Sequence, residues 1–280
     1  MSSGMTCRGT GIDRVRMALL AVLVGGCVTD GSSESVRFAP LPNTQPGSMQ
    51  LPAAIHRPDG AGPFPAIILL HGCGGVQASH HEHARQLRDE GYLVAVVDSF
   101  VPRGLHGGIC VRDLTTRADA EASFRIKDAQ AAAAYLRSRG DVDPKRIGLL
   151  GFSHGGATAL HGAIPQLHEW RPLPSFKAVV AYYPWCELSL LKGIDTPTLV
   201  LIGTADDWTP VERCETMKQL LERPERVDLV TYPGVHHGFD VPGSNSIQPC
   251  QAGRCTLRHD TAAAADAWRR TREWFARHLK

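Results

Sequence analysis

No apolar run in this 280-residue chain is long enough to span a bilayer, which takes about 20 residues. The nearest approach covers 17–24 and stops there. No block of Lys or Arg interrupts the part expected to fold, and the formal net charge is only +2. Nucleic acid and anionic surfaces are therefore excluded as expected partners. There is also no second composition regime, no internal repeat and no insertion long enough for a large lid. What is present is 43% hydrophobic residues in a length that suits one large α/β domain or two small ones, enough for a sizeable core that handles a small molecule.

The short apolar run has a context. Arg14 and Arg16 precede it, and it ends in Val24-Gly25-Gly26-Cys27. A basic start, a short apolar core and small residues before a cysteine suggest a lipoprotein signal peptide over 1–26, with Cys27 as the lipidation site. An ordinary cleaved signal peptide and a short hydrophobic start helix are the alternatives. The expectation is an exported protein of the bacterial periplasm or cell envelope, attached to membrane through a lipid anchor only. Cleavage before Cys27 removes Arg8, Arg14, Arg16 and Asp13 and leaves a formally neutral chain. The stretch after it is rich in Ser, Gly, Asp and Pro, so 27–46 is expected to be a flexible tether and 47–280 the folded domain.

Of eight cysteines, six remain once Cys7 and Cys27 are set aside with the leader: Cys73, Cys110, Cys186, Cys214, Cys250 and Cys255. An even number in an oxidising compartment points to disulfides. Six cysteines allow fifteen connectivities that spacing does not decide; Cys250 and Cys255, close together in a Pro/Gly-containing loop, form one expected pair, and Cys73 with Cys110 and Cys186 with Cys214 is the expectation for the rest. As a metal motif CQAGRC has no second pair at zinc spacing. His80, His81 and His83 do not make the i, i+4 pair of a helical zinc site and read as a solvated helix start. No metal or cofactor is called for.

From 47 onward the chain alternates. An edge strand, or two short ones, is expected over 47–57, where Pro52 interrupts the alternation. Short apolar runs at 66–70, 93–97, 147–150, 178–182, 198–202 and 227–232 read as strands, and 78–90, 118–139, 154–164, 211–222 and 261–279 as helices. Strands that are apolar throughout are buried on both faces, hence a mostly parallel sheet covered by helices on each side. The fold class is α/β, a single doubly wound domain with functional residues at the carboxyl ends of the strands.

The apolar run 147–150 drives into Gly151-Phe152-Ser153-His154-Gly155, a G-x-S-x-G pattern. Between strand and helix such a pattern makes a sharp turn that lifts the serine above the sheet, with glycines where a Cβ would clash. Ser153 is the candidate nucleophile. His71-Gly72-Cys73-Gly74-Gly75 is a second glycine turn at a strand end, and it ends neither in G-x-G-x-x-G nor in Lys-Ser/Thr. It suits an oxyanion hole, with the backbone N–H groups of Cys73 and His154 as donors. A serine needs a base and an orienting acid. Both follow in the chain, at Asp206 or Asp207 and at His236 or His237, with neither choice decided by the residues alone.

The motifs HGCGG at 71–75, DSFVPRG at 98–104, GFSHGG at 151–156, GTADDWTP at 203–210 and YPGVHHGFD at 232–240 resemble the dienelactone hydrolase family of α/β-hydrolases over 47–280. The resemblance implies Asp206 as the acid, by its place after the glycine and before the proline. It implies His237 as the base, directly before Gly-Phe. The namesake enzymes carry cysteine at the nucleophile and an arginine shortly after the catalytic histidine to bind a substrate carboxylate. Here Ser153, Asp240 and Val241 stand at those places. Dienelactone is therefore not carried over as the substrate.

Arg103 has two readings, contact with a polar or anionic substrate group and pinning of the loop 105–110. Trp208, Tyr183 and Trp185 are candidates for lining the cleft, and His154 and His236 for shaping it. The expected activity is hydrolysis of a small ester or lactone through an acyl-enzyme. The alternatives are a peptidase of the same fold and a non-catalytic binding lipoprotein.

Overall fold

The computed structural model describes residues 33–41, 49–110, 118–164, 176–188, 193–250 and 253–280. The expected leader over 1–26 and the Cys27 lipidation position lie outside the described residues. Among those described, no helix is long and apolar enough to cross a membrane.

The central sheet has eight strands: β1 (Glu34–Phe38), β2 (Leu51–His56), β3 (Phe64–Leu70), β4 (Leu93–Val97), β5 (Val142–Phe152), β6 (Val179–Tyr182), β7 (Thr198–Gly203) and β8 (Val227–Tyr232). Their order is β1-β2-β4-β3-β5-β6-β7-β8. β1 and β2 join antiparallel at one end, and from β4 to β8 every pairing is parallel. Among the described residues five helices, α1 (Ala78–Asp89), α2 (Ala118–Ser138), α3 (His154–Gly162), α4 (Val211–Leu220) and α5 (Thr261–Leu279), connect or close the strands.

The apolar runs explain this arrangement. Ala66 to Leu70 on β3 and Leu93 to Val97 on β4 are almost wholly inaccessible, as a strand must be when helices cover both faces. Neighbouring residues of β5 show the two covers directly, because successive positions on a strand point to opposite faces. A Cβ on Gly148 would sit 3.1 Å from Phe275 and Leu279 of α5, whereas Leu149 meets α3 at Gly162. Between these layers runs one continuous core.

Three expectations change. The stretch 27–46 is not wholly a tether, because 34–38 pairs with β2 as β1 and buries Val36 and Phe38 against the core. Nor is β2 an edge, since it pairs with β1 on one side and β4 on the other. Pro52 is accommodated because its carbonyl faces the β4 side, accepting from the Asp98 amide at 3.0 Å just past the last β2–β4 register pair, Ala53 with Val97, so its missing N–H falls at the end of that ladder. Finally, 245–258 is not a simple loop. It forms a two-stranded hairpin, β9 (Asn245–Cys250) and β10 (Gly253–Arg258), outside the main sheet.

All six cysteines pair as expected: Cys73–Cys110, Cys186–Cys214 and, across the hairpin, Cys250–Cys255.

Candidate active site

β5 ends at Phe152 and α3 begins at His154, so the whole turn falls on Ser153. Its backbone lies at φ 53°, ψ −118°, a conformation that costs an L-residue on the order of 1–3 kcal/mol and persists only where its surroundings enforce it. The glycines on either side allow the close approach. A Cβ on Gly155 would lie 2.2 Å from the Leu70 carbonyl oxygen, and one on Gly151 would lie 2.1 Å from that of Gly155. The G-x-S-x-G pattern is thus the local condition for folding α3 back against the ends of β3 and β5.

Above this turn the elements bring three side chains into one line. His237 Nε2 is 2.9 Å from Ser153 Oγ, and its Nδ1 is 2.7 Å from Asp206 Oδ2. Because an ionised carboxylate only accepts, Nδ1 carries the proton and Nε2 is left to accept one from the serine. Asp206 sits just beyond β7, with its other oxygen accepting from the N–H groups of Trp208 (2.9 Å) and Thr209 (2.8 Å). Thr209 Oγ1 is a further 3.0 Å neighbour of Oδ2. His237, in the turn after β8, is only 3% exposed; its ring is flanked by those of Tyr183 and Trp208, with centroids 4.5 and 5.1 Å away.

The second glycine turn faces the serine from the end of β3. Its orientation follows from its hydrogen bonds. The Gly72 carbonyl accepts from His71 Nδ1 at 2.7 Å and from the Gly75 amide at 3.3 Å. In a trans peptide the N–H of Cys73 must then point the opposite way. The Cys73 carbonyl accepts from Ile109 (2.8 Å), and the disulfide to Cys110 ties the same residue to the 105–110 loop. The Cys73 backbone is therefore held in place while its side chain is a disulfide partner.

Beneath the two turns lies Arg125 of α2, fully buried. Its guanidinium donates to the His71 carbonyl at 2.6 Å and to His154 Nδ1 at 2.7 Å. Burial, reinforced by the Arg125 charge, lowers the His154 pKa to about 3, and the same two causes lower that of His71. Both imidazoles are neutral, which lets His71 accept from the Ser99 amide at Nε2 while donating from Nδ1. Sequence reasoning missed Arg125 because nothing near it in the chain marks it; its partners lie 54 and 29 residues away.

Other expected positions divide. Ser153, Cys73, Trp208 and Tyr183 line a cleft of about 400 Å³ together with His237. Arg103 does not line it: its guanidinium grips Asp128 with two bonds of 2.8 and 2.9 Å and lies over the Phe124 ring. These contacts and one to the Ser99 carbonyl tie the turn after β4 to α2, and none of them reaches the 105–110 loop that the second reading named. His236 is not among the residues lining this cleft, its Nε2 lying 3.4 Å from an Arg258 nitrogen. His154 contributes a backbone position at the elbow, its ring being turned to Arg125. Trp185 is 40% exposed and packs against the Arg213 guanidinium.

The helix-start histidines are not a solvated patch. His80 is buried and His83 stacks on Phe152, while its Nε2 approaches Asp240 Oδ2 at 3.0 Å. The reason is that α1 begins where the chain leaves the glycine turn, so its first turn packs against the end of β5.

The family model for the dienelactone hydrolase family matches residues 51–279. A putative carboxymethylenebutenolidase of Synechocystis sp. is 23% identical over 256 residues, covering 83% of this chain and 94% of that protein. One of Methylorubrum extorquens is 27% identical over 254 residues, covering 81% and 77%. Among solved structures, a putative dienelactone hydrolase from Klebsiella pneumoniae superposes with a TM-score of 0.66 at 22% identity, covering 88% of this chain and all of its own. At that identity the likeness speaks for the fold.

Proposed function

The chain belongs to the dienelactone hydrolase family, and on that premise we propose that Ser153, His237 and Asp206 are the catalytic triad by which it hydrolyses a small carboxylic ester or lactone. The observation that carries the assignment is the unbroken line from Asp206 Oδ2 through His237 to Ser153 Oγ, with contacts of 2.7 and 2.9 Å.

The chemistry follows from where each proton sits. His237 Nε2 removes the Ser153 proton as Oγ attacks the carbonyl carbon, and the carbonyl electrons move onto oxygen. The amides of Cys73 and His154 hold that oxyanion; one such donor is typically worth on the order of a hundredfold to a thousandfold in rate. Collapse expels the alcohol, protonated by His237, and leaves an acyl-serine. Water then attacks by the same route and releases the acid. Asp206 stabilises the imidazolium formed in each half and keeps the ring in the required tautomer.

The acyl-enzyme is tested by partitioning. With hydroxylamine present, 4-nitrophenyl acetate, phenyl acetate and ethyl acetate should yield the same ratio of acetohydroxamate to acetate, because all pass through one acetyl-serine. A ratio that changes with the leaving group would point to direct attack by water and contradict the mechanism.

A further inference from the structure

The cleft that holds Ser153 is walled on one side by the β9–β10 hairpin. Ser246 and Gln248, two residues apart on β9, share a face, and both line the cleft with Leu257, the register partner of Ser246 on β10. Ile247, between them, is 59% exposed and points away. Across the opening, Gln77 and Ser79 at the start of α1 line the opposite wall.

The hairpin is fastened to the catalytic loops rather than hung beside them. Asp207, neighbour of the triad acid, accepts from the Thr256 amide at 2.8 Å and from its hydroxyl at 2.9 Å. The Arg258 amide donates to the His237 carbonyl at 3.2 Å, and Cys250–Cys255 closes the far end. Its amide and hydroxyl groups are therefore held at a fixed place relative to Ser153.

Charge in the cleft is one-sided. No Lys or Arg is among the lining residues described, and the acid among them is Asp240. The Tyr183 hydroxyl donates to its Oδ1 at 2.5 Å and His83 Nε2 lies 3.0 Å from Oδ2. Burial alone would raise the Asp240 pKa, but the His83 contact and charge and the Tyr183 hydroxyl together hold it below the ordinary carboxylate value. The adjacent His80 is kept neutral by burial and by His83, its pKa lowered to about 4.

We propose, resting on the hydrolase reading above, that this cleft selects acyl esters of uncharged, polyhydroxylated alcohols such as acylated sugars, with the hairpin wall and α1 binding the hydroxyl groups and Asp240 rejecting carboxylate-bearing substrates. Hydroxyls meet Gln77, Ser79, Ser246 and Gln248, each able to donate and accept. A carboxylate placed in the same cleft meets the like charge of Asp240 with no Lys or Arg among the described lining residues to bind it, a penalty on the order of tenfold or more in binding.

The test compares kcat/KM for acetates of three alcohols on six-membered rings: a methyl hexopyranoside, the corresponding methyl hexopyranosiduronate with its carboxylate free (the hexuronate) and cyclohexanol. The hexopyranoside should exceed the hexuronate by about tenfold or more and the cyclohexyl ester by about fivefold. Asp240→Asn should raise the hexuronate-to-hexopyranoside ratio by about tenfold, and Gln248→Ala should shrink the hexopyranoside-to-cyclohexyl ratio. A hexuronate turned over as well as the hexopyranoside by the unaltered protein overturns the proposal whether or not either variant folds. So do active variants whose ratios do not move. Turnover of phenyl acetate alongside inert ring acetates sinks the sugar-ester proposal and leaves the hydrolase reading standing, whereas loss of phenyl acetate turnover as well removes the reading beneath it.

Discussion

Ser153→Ala should lower kcat/KM for 4-nitrophenyl acetate by about a hundred-thousandfold to a millionfold while leaving the melting temperature nearly unchanged. The serine side chain has one described bond, to His237 Nε2, and an alanine in its place would sit on the same backbone at φ 53°. The strain at the turn is therefore the same in both proteins, and the stability difference should stay within about 1 kcal/mol. What disappears is the oxygen proposed to be acylated. Residual hydrolysis should come from the remaining donors at Cys73 and His154, which can still stabilise an oxyanion formed by water. Purified variant and parent, compared at equal concentration with matched far-UV spectra, check both halves.

Asp206→Asn should cost about ten-thousandfold in kcat with little change in KM. The substitution keeps shape, and the Oδ1 position can still accept from Trp208 and Thr209. An amide NH₂ then faces His237 Nδ1 in place of an accepting oxygen. It donates, so Nδ1 must accept and the ring proton moves to Nε2, which can no longer take the proton of Ser153. Asp207 offers no rescue, since both of its oxygens hold Thr256. A variant retaining more than about a hundredth of parental kcat would show that the acid contributes less to orientation and charge stabilisation than a triad requires.

These adjacent aspartates show what sequence alone could and could not reveal. Their chemistry is identical and only a residue apart, so the division of labour is decided by which way each carboxylate leaves the turn after β7. The family resemblance chose Asp206, and it is Asp206 whose Oδ2 lies 2.7 Å from His237 Nδ1 while Asp207 holds Thr256. The parallel strands were legible for a simpler reason: a run such as 66–70 is apolar throughout, and only burial on both faces tolerates that. The nucleophile turn was legible because its glycines are required by contacts near 2 Å.

Other features had no local signal. β1 is five residues amid Ser and Gly, and its role depends on pairing with β2, not on its own hydrophobicity. β9 is exposed over most of its length and contains Pro249, so neither periodicity nor propensity marks it; register pairing, a disulfide and the Asp207 anchor hold it in place. Arg103 resembled a substrate-binding residue until its partner Asp128, 25 residues away on α2, came into view. Likewise Asp240 stood out in sequence only as an acid in place of the family's arginine. Its contacts with Tyr183 and His83, 57 and 157 residues distant, make it a fixed charge in the cleft.

The claim on which the rest depends is that Ser153 is an activated nucleophile. A fluorophosphonate probe incubated with the folded, unaltered protein and followed by peptide mass mapping tests it most directly. The expected result is a single covalent adduct, on Ser153 within the GFSHGG segment, formed in step with loss of esterase activity. Folded protein that takes up no probe, or that carries the adduct on another residue, would contradict it.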